Sequence, residues 1–197
     1  MTRFVEPVTL RGEQVTLEPL DRAHEDALRA AANDGELWRL WFTSVPAPDA
    51  VADYIGVALG MREKGGMPFV VRENANGGVI GCTRYFNVDA ENRRLEIGYT
   101  WYAKGAQRTG VNTECKLLLL AHAFETLKCI AVEFRTSWFN HPSRNAIARL
   151  GAKQDGVLRN HQIAPDGVYR DTVVFSILES EWPSVRRHLR FELERPR

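Results

Sequence analysis

Hydrophobic residues return along this chain with two different periods, and the changes of period divide it into elements. Val15, Leu17 and Leu20 stand among polar neighbours within Val8–Leu20, which reads as a strand. After Asp21, Ala27, Leu28, Ala31 and Ala32 recur at helical spacing, predicting a helix with Asp21 near its N-cap. The aromatic stretch Trp38–Phe42 runs into the turn signal Pro46-Ala47-Pro48-Asp49. A second helix is predicted across Val51–Arg62, stopped by Gly65-Gly66.

From Phe69 the pattern changes to strands. Phe69–Glu73 and Val79–Asn87 flank Asn74-Ala75-Asn76-Gly77-Gly78, a hairpin signal whose residues tolerate positive φ. Leu95–Trp101 alternates, which predicts Leu95, Ile97, Tyr99 and Trp101 on one face and Glu96, Gly98 and Thr100 on the other. Gly110–Leu127 has a helical period, and Ala131–Trp138 alternates again. Pro142–Leu150 reads as a short helix stopped by Gly151. Val157–Gln162 and Thr172–Leu178 form a last strand pair around Pro165-Asp166-Gly167, before a helix over Ser184–Leu193. The order is strand, two helices, three strands, helix, strand, helix, two strands, helix. It predicts an α+β fold, a mixed and predominantly antiparallel central sheet with helices on both faces. The lack of regular β-α alternation argues against a doubly wound dinucleotide fold.

No linker, repeat or low-complexity segment divides the 197 residues, so one domain over 1–197 is expected. Lys and Arg number 26 against 25 Asp and Glu, a balance that gives no reason to expect a nucleic acid or a membrane surface as partner. Cys82, Cys115 and Cys129 form no CxxC pair and are expected to be reduced core residues. The start MTRFVEPVTL resembles no signal peptide, and no apolar run approaches the ~20 residues of a membrane span, so a cytoplasmic protein is expected. The histidines show no metal-ligand spacing, and no metal is expected.

The segment Tyr99–Thr113 joins a strand to the start of the longest helix. A helix start offers about four unpaired N–H groups and roughly half a positive charge. Gly105 and Gly110 allow a loop to turn those groups inward around a phosphate; Arg108 adds charge, and Thr109 and Thr113 add hydroxyls. The alternative is a glycine that merely starts a helix. A GKS/T sequence and a G-x-G-x-x-G sequence are both missing, which excludes a nucleoside-triphosphate P-loop and a Rossmann fingerprint.

Gln107-Arg108-Thr109-Gly110-Val111-Asn112 resembles the Q/R-x-x-G-x-G/A coenzyme A motif of the GNAT acyltransferase superfamily, with Asn112 where a small residue is usual. Leu95-Glu96-Ile97-Gly98-Tyr99, Asn140-His141-Pro142-Ser143 and Ile147-Ala148-Arg149-Leu150-Gly151-Ala152 resemble its ribosomal-protein alanine N-acetyltransferase branch, in the expected order over about residues 8–182. The resemblance implies acetyl-CoA as co-substrate, held by Gln107, Arg108, Thr109, Gly110, Val111, Asn112 and Thr113. It also implies that backbone beside Thr100, Trp101 and Tyr102 receives the thioester carbonyl and the pantetheine arm.

Acetylating an amine of pKa near ~10 requires removal of a proton at neutral pH. Glu96, mid-strand between apolar neighbours, is the candidate base, as a glutamate near this position is in related enzymes. Its alternative role is a pair with an arginine such as Arg94 or Arg84. The resemblance implies that Ser143, in the branch's N-x-x-S pattern, protonates the thiolate or hydrogen-bonds coenzyme A. The tyrosine that many members use slightly further along is missing between Ser143 and Lys153; a first-turn helix role would also account for Ser143. Asn140 either bonds the pantetheine arm or caps the same helix. The resemblance implies that Trp38 and Trp41 wall the acceptor pocket, with His161 contributing from the final hairpin beside Arg159, Asp166, Arg170 and Asp171. Buried core tryptophans and a solvated loop are the alternatives.

The function expected is an acetyl-CoA-dependent N-acetyltransferase that moves an acetyl group to a primary amine by direct attack in a ternary complex. The alternative is a non-catalytic acyl-CoA sensor or assembly module. The acceptor is a small-molecule or peptide amine, with ribosomal-protein N-termini, free amino acids, polyamines and antibiotic amines all left open. The chain is expected to be a monomer or a homodimer.

Overall fold

The computed structural model describes residues 3–43, 45–164 and 166–195. Eight strands form one sheet in the order β1-β2-β3-β4-β5-β6-β8-β7, antiparallel throughout except for the parallel pair β5–β6. The first predicted strand is two: β1 (Leu10–Arg11) folds back on β2 (Val15–Pro19). The turn between them is fixed from outside. Glu114 aims its buried carboxylate at the backbone N–H groups of Glu13, Gln14 and Val15, at 2.9, 2.8 and 2.8 Å. Gly12 has no side chain because a Cβ there would lie 2.6 Å from that carboxyl carbon.

Asp21 caps a short 3-10 turn, Arg22–His24, that leads into α1 (Glu25–Asn33); His24 completes the capping box by accepting from the Asp21 N–H. α2 (Val51–Glu63) follows, with Pro48 in the turn before it. The meander β3 (Met67–Glu73), β4 (Val79–Asp89) and β5 (Arg94–Tyr102) supplies the centre of the sheet. Next come α3 (Val111–Ala121), which widens to a π turn at His122–Thr126, and β6 (Ala131–Ser137). α4 (His141–Arg149), the hairpin β7 (Lys153–Ile163) and β8 (Tyr169–Leu178), and α5 (Trp182–Glu194) complete the chain. Of the predicted final turn, Pro165 lies outside the described residues, as do Met1 and Thr2 of the predicted start.

Strand alternation sends side chains into two cores. Phe69, Tyr85, Leu95, Ile97 and Phe134 face α3, α4 and α5, where Leu119, Leu120, Ile147 and Leu189 meet them. Val70, Cys82 and Trp101 face α1 and α2, where Leu28, Ile55 and Ala58 are buried. Each fully buried Leu, Ile or Phe contributes roughly 1.5–3 kcal/mol over an exposed one, so both helical layers are held mainly by area. α5 is also pinned to the end of α3: Trp182 stacks on Phe124, and its Nε1 donates to Glu125 at 2.9 Å.

Two irregularities shape the sheet. The ladder between β5 and β6 covers three pairs, Arg94↔Ala131, Leu95↔Val132 and Glu96↔Glu133, after which the strands part. The β4–β5 register then slips between Arg84↔Gly98 and Cys82↔Trp101, with Tyr99 at φ 51° as the bulged residue. An extra residue in a strand reverses which face the following side chains meet. The predicted faces of β5 therefore hold only as far as Gly98. Trp101 joins the α1–α2 core, opposite to Leu95 and Ile97, while Thr100 points to α3.

Candidate active site

The parting of β5 and β6 leaves a wedge in the middle of the sheet, open towards the C-terminal ends of both strands. Backbone groups along β5 beyond Glu96 lose their neighbour on that side, so they are free to bond an extended chain. Glu96 stands at the apex on the α1–α2 face. Its side chain is 5% exposed, accepts from Asn87 Nδ2 at 2.9 Å and lies 3.5 Å from Arg135 Nε. Burial raises its pKa to about 7, against the opposing pulls of the Asn87 hydrogen bond and the Arg135 charge. The arginine beside Glu96 is therefore Arg135, not Arg94 or Arg84. Arg94 turns to Glu133, and Arg84 stands between two tyrosine rings.

The loop after β5 closes on itself. Gln107 Nε2 donates to the Tyr102 carbonyl at 3.0 Å, Thr109 Oγ1 to the Ala106 carbonyl at 2.7 Å, and the Tyr102 hydroxyl to Asn112 Oδ1 at 3.3 Å. These predicted cofactor side chains shape the loop rather than project from it. Thr113 and Val111 are buried, and Gly110 sits against Gln14 where a Cβ would clash at 2.5 Å. Backbone is what the loop presents. The first bond along the helix runs from Glu114 N–H to the Gly110 carbonyl at 2.9 Å, so Asn112 and Thr113 offer N–H groups with no helical acceptor. Arg108, at φ 60° and exposed, makes no side-chain hydrogen bond or ion pair among the described residues. Backbone donors, a helix dipole and one exposed cation are the parts from which an anion cradle can be made.

Behind the bulge lies a residue that sequence reasoning passed over. Lys116, one turn into α3 and 4% exposed, donates to Thr100 Oγ1 at 2.7 Å and reaches Thr83 Oγ1 at 3.4 Å. Among the described residues no carboxylate pairs with it, and burial lowers its pKa to about 8. A lysine among Leu117–Leu120 was the signal available.

Across the wedge, Asn140 caps α4 by accepting from the Ser143 N–H at 3.1 Å, and its Nδ2 makes no hydrogen bond among the described residues. Ser143 is half-buried in the first turn of α4. Trp41 is 67% exposed and leans on Phe139 at 5.4 Å between centroids, so the loop before α2 touches the loop before α4. Trp38 is partly buried under Arg39, with its Nε1 buried and unpartnered. His161 meets Thr172 Oγ1 at 3.1 Å on the final hairpin. Beside it, Asp171 holds Arg159 and the Asn160 N–H, and Asp166 accepts from the turn N–H of Val168.

A family model described as "Acetyltransferase (GNAT) domain" matches residues 14–153, a span that contains Glu96, the cradle and Asn140. The chain belongs to the GNAT acetyltransferase family. Among relatives of this GNAT protein, "Putative ribosomal N-acetyltransferase YdaF" from Bacillus subtilis is 33% identical over 107 residues, 54% of this chain and 57% of that one. The chain thus spans little more than half the length of that relative. A crystal structure of a GCN5-related N-acetyltransferase from Brucella melitensis superposes with a TM-score of 0.87 at 29% identity, covering 96% of this chain and 86% of that one. Mycobacterium smegmatis RimJ in complex with CoA-disulfide shares the fold, with a TM-score of 0.81 at 21% identity over 98% and 97% of the two chains. The chemistry of the family is acetyl transfer, and relatives of this chain are named N-acetyltransferases. Among the described residues no group of His, Cys, Asp and Glu could hold a metal ion, and no helix is long and apolar enough to cross a membrane.

Proposed function

We propose that the protein transfers an acetyl group from acetyl-CoA to a primary amine within the β5–β6 wedge. The observation that carries this reading is the wedge itself. It opens where a buried Glu96, its pKa raised to about 7, stands at the apex and leads to an anion cradle at the start of α3. Coenzyme A brings a pyrophosphate and an acyl thioester. The residues fit it: N–H groups of Asn112 and Thr113 with Arg108 meet phosphate, and the unpaired edge of β5 meets the amide-bearing arm.

On this reading Glu96 takes the proton that the ammonium must lose, directly or through water. Backbone N–H groups at the Tyr99–Tyr102 bulge stabilise negative charge on the carbonyl oxygen under attack. Ser143, in the first turn of α4, supplies a proton to the leaving sulfur, and Asn140 Nδ2 orients the arm. Trp38, Trp41 and His161 line the acceptor's approach. The name of the YdaF relative favours a protein or peptide amine as acceptor. Titration calorimetry tests the first step. Acetyl-CoA is expected to bind, and Arg108→Ala to weaken it roughly fivefold to thirtyfold, the worth of one charge-assisted bond. Absence of binding at millimolar acetyl-CoA overturns the reading, and binding without release of free thiol on broad amine panels turns it into a sensor.

A further inference from the structure

The face of the sheet that carries Glu96 also carries a buried cation with no negative group beside it. Arg84, in the middle of β4, is 1% exposed. Its guanidinium carbon lies 4.4 Å from the ring centroid of Tyr54 on α2 and 4.4 Å from that of the bulged Tyr99. Nη1 meets only the sulfur of Met61, at 3.3 Å. Nε and Nη2 are buried and have no hydrogen-bond partner among the described residues.

Two kinds of interaction are separated by this geometry. Tyrosine rings attract the flat faces of the guanidinium, while its N–H bonds lie in the plane and point out between the rings. The two unpartnered atoms are adjacent. Nε–H and the neighbouring Nη2–H form the edge that a guanidinium offers to a carboxylate as a two-point fork. Among the described residues no carboxylate takes that edge, and the polar group beside the guanidinium is the Tyr54 hydroxyl. Glu96 is held by Asn87 and Arg135, and Glu133 by Arg94 and Arg135. Arg170 of β8, close enough to Tyr99 to interact electrostatically with it, likewise has a buried, unpartnered Nε.

The register places this fork relative to the reaction. Arg84 pairs with Gly98 and Phe86 with Glu96, so Arg84 and Glu96 are diagonal neighbours on one face, roughly 7–8 Å apart. Phe86 lies over Gly98 between them; a Cβ at Gly98 would meet its ring at 2.6 Å. Tyr54, Met61, Phe86 and Tyr99 are each only partly buried, which leaves Arg84 one side-chain layer below the surface. Met61, unbranched and flexible, is the group best able to give way.

We infer that the Nε–Nη2 edge of Arg84 is a subsite for a carboxylate carried by the amine acceptor. The acceptor is then amino-acid-like, with its amine at Glu96 and its carboxylate a few bonds away in the Tyr54–Tyr99 clamp. This rests on the reading of the wedge as an acetyl-transfer site.

The test measures free-thiol release by the full chain from acetyl-CoA, after calorimetry has established acetyl-CoA binding. Acceptors are supplied in pairs that differ only in carboxylate against carboxamide. One arm uses amino acids and their amides, the other uses peptides with Asp or Asn, Glu or Gln, near a free N-terminus. The carboxylate member is expected to have kcat/KM roughly a hundredfold or more higher, because the amide cannot fill the fork. The arm that shows the preference identifies the source as a free α-carboxylate or an acidic side chain. In Arg84→Met that preference shrinks at least tenfold through KM, Arg84→Lys restores part of it, and the thermal midpoint of Arg84→Met is unchanged or higher. Acetylation of amides as fast as acids, or of no carboxylate-bearing amine in either arm, overturns the subsite and leaves acetyl-CoA binding untouched. A lower midpoint in Arg84→Met with the acceptor preference intact makes the arginine an internal clamp and also overturns it. If Arg84→Met does not fold, the wild-type pairs decide alone. Failure of acetyl-CoA to bind is a failure of the parent reading instead.

Discussion

Two buried ionisable residues flank the bulge from opposite faces, and their surroundings move them in ways that pH can read. Glu96 loses hydration at the wedge apex, and its pKa rises from 4.5 to about 7. A carboxyl that binds its proton more tightly when folded contributes most below pH 4.5, and that contribution is lost as pH climbs to about 7. Activity runs the other way, since only the carboxylate accepts a proton. The profile of kcat/KM is therefore expected to rise with an apparent pKa near 7, and Glu96→Gln to lose that limb with roughly 10²–10⁴-fold of rate. A limb that persists unchanged in Glu96→Gln would assign the base elsewhere. Lys116 is the converse case. Its pKa falls from 10.5 to about 8, so the folded state carries a penalty below pH 8 that disappears as pH rises towards 10.5. Lys116→Met is expected to melt higher than the parent at pH 7, and the gap to close by about pH 10 when melting is followed at both values.

At the level of elements, the sheet was legible and its defects were not. Alternation in β3 to β6 and the helical period of α3 follow from which side chains must be buried, and a sequence displays that directly. The bulge depends on Tyr99 adopting φ 51°, which its own identity disfavours and only the packing against Phe86 and Arg84 supports. Extrapolating period two through it placed Thr100 and Trp101 on the wrong faces. Arg84 carried a signal that was readable in principle. It alternates with Cys82 and Phe86 on an inward face, where a charge in a central strand calls for a partner. The loop after β5 was singled out by its motif, but the hydrogen bonds of its side chains were not legible, because Gln107 and Thr109 bond backbone whose position is set only by the turn. The same holds for Glu114. One carboxylate meets three N–H groups of the β1–β2 turn about 100 residues earlier in the chain, at separations of 101, 100 and 99. Glu114→Gln keeps the shape but exchanges an acceptor oxygen for a donor, and is expected to cost roughly 2–4 kcal/mol in denaturant unfolding. A cost under about 0.5 kcal/mol would mean that the turn is held by β2 pairing instead.

For the molecule as a whole, the decisive relation is that the proposed cradle and the proposed base belong to different layers. α3, which presents the anion cradle, packs on the face with Leu119 and Leu120, while Glu96 and Arg84 project from the face covered by α1 and α2. The wedge connects the layers through the sheet. On the proposed reading two substrates occupy it together, each from its own side, and the amine reaches the carbonyl without an intermediate carrier on the protein. The cysteines offer no such carrier. Cys115 lies inside α3 at 0% exposure, and burial pushes its thiol up to about 12; Cys82 is raised to about 12 and Cys129 to about 11 by the same cause. A thiol this far from ionisation is a poor nucleophile at neutral pH. Initial-rate measurements with acetyl-CoA and an acceptor both varied are expected to give intersecting lines, the signature of a ternary complex. Cys115→Ala is expected to retain turnover within about twofold, the size of a small core adjustment on catalysis. Parallel lines, or an acetylated protein trapped by mass spectrometry in the absence of acceptor, would require a carrier that the two-sided wedge does not need.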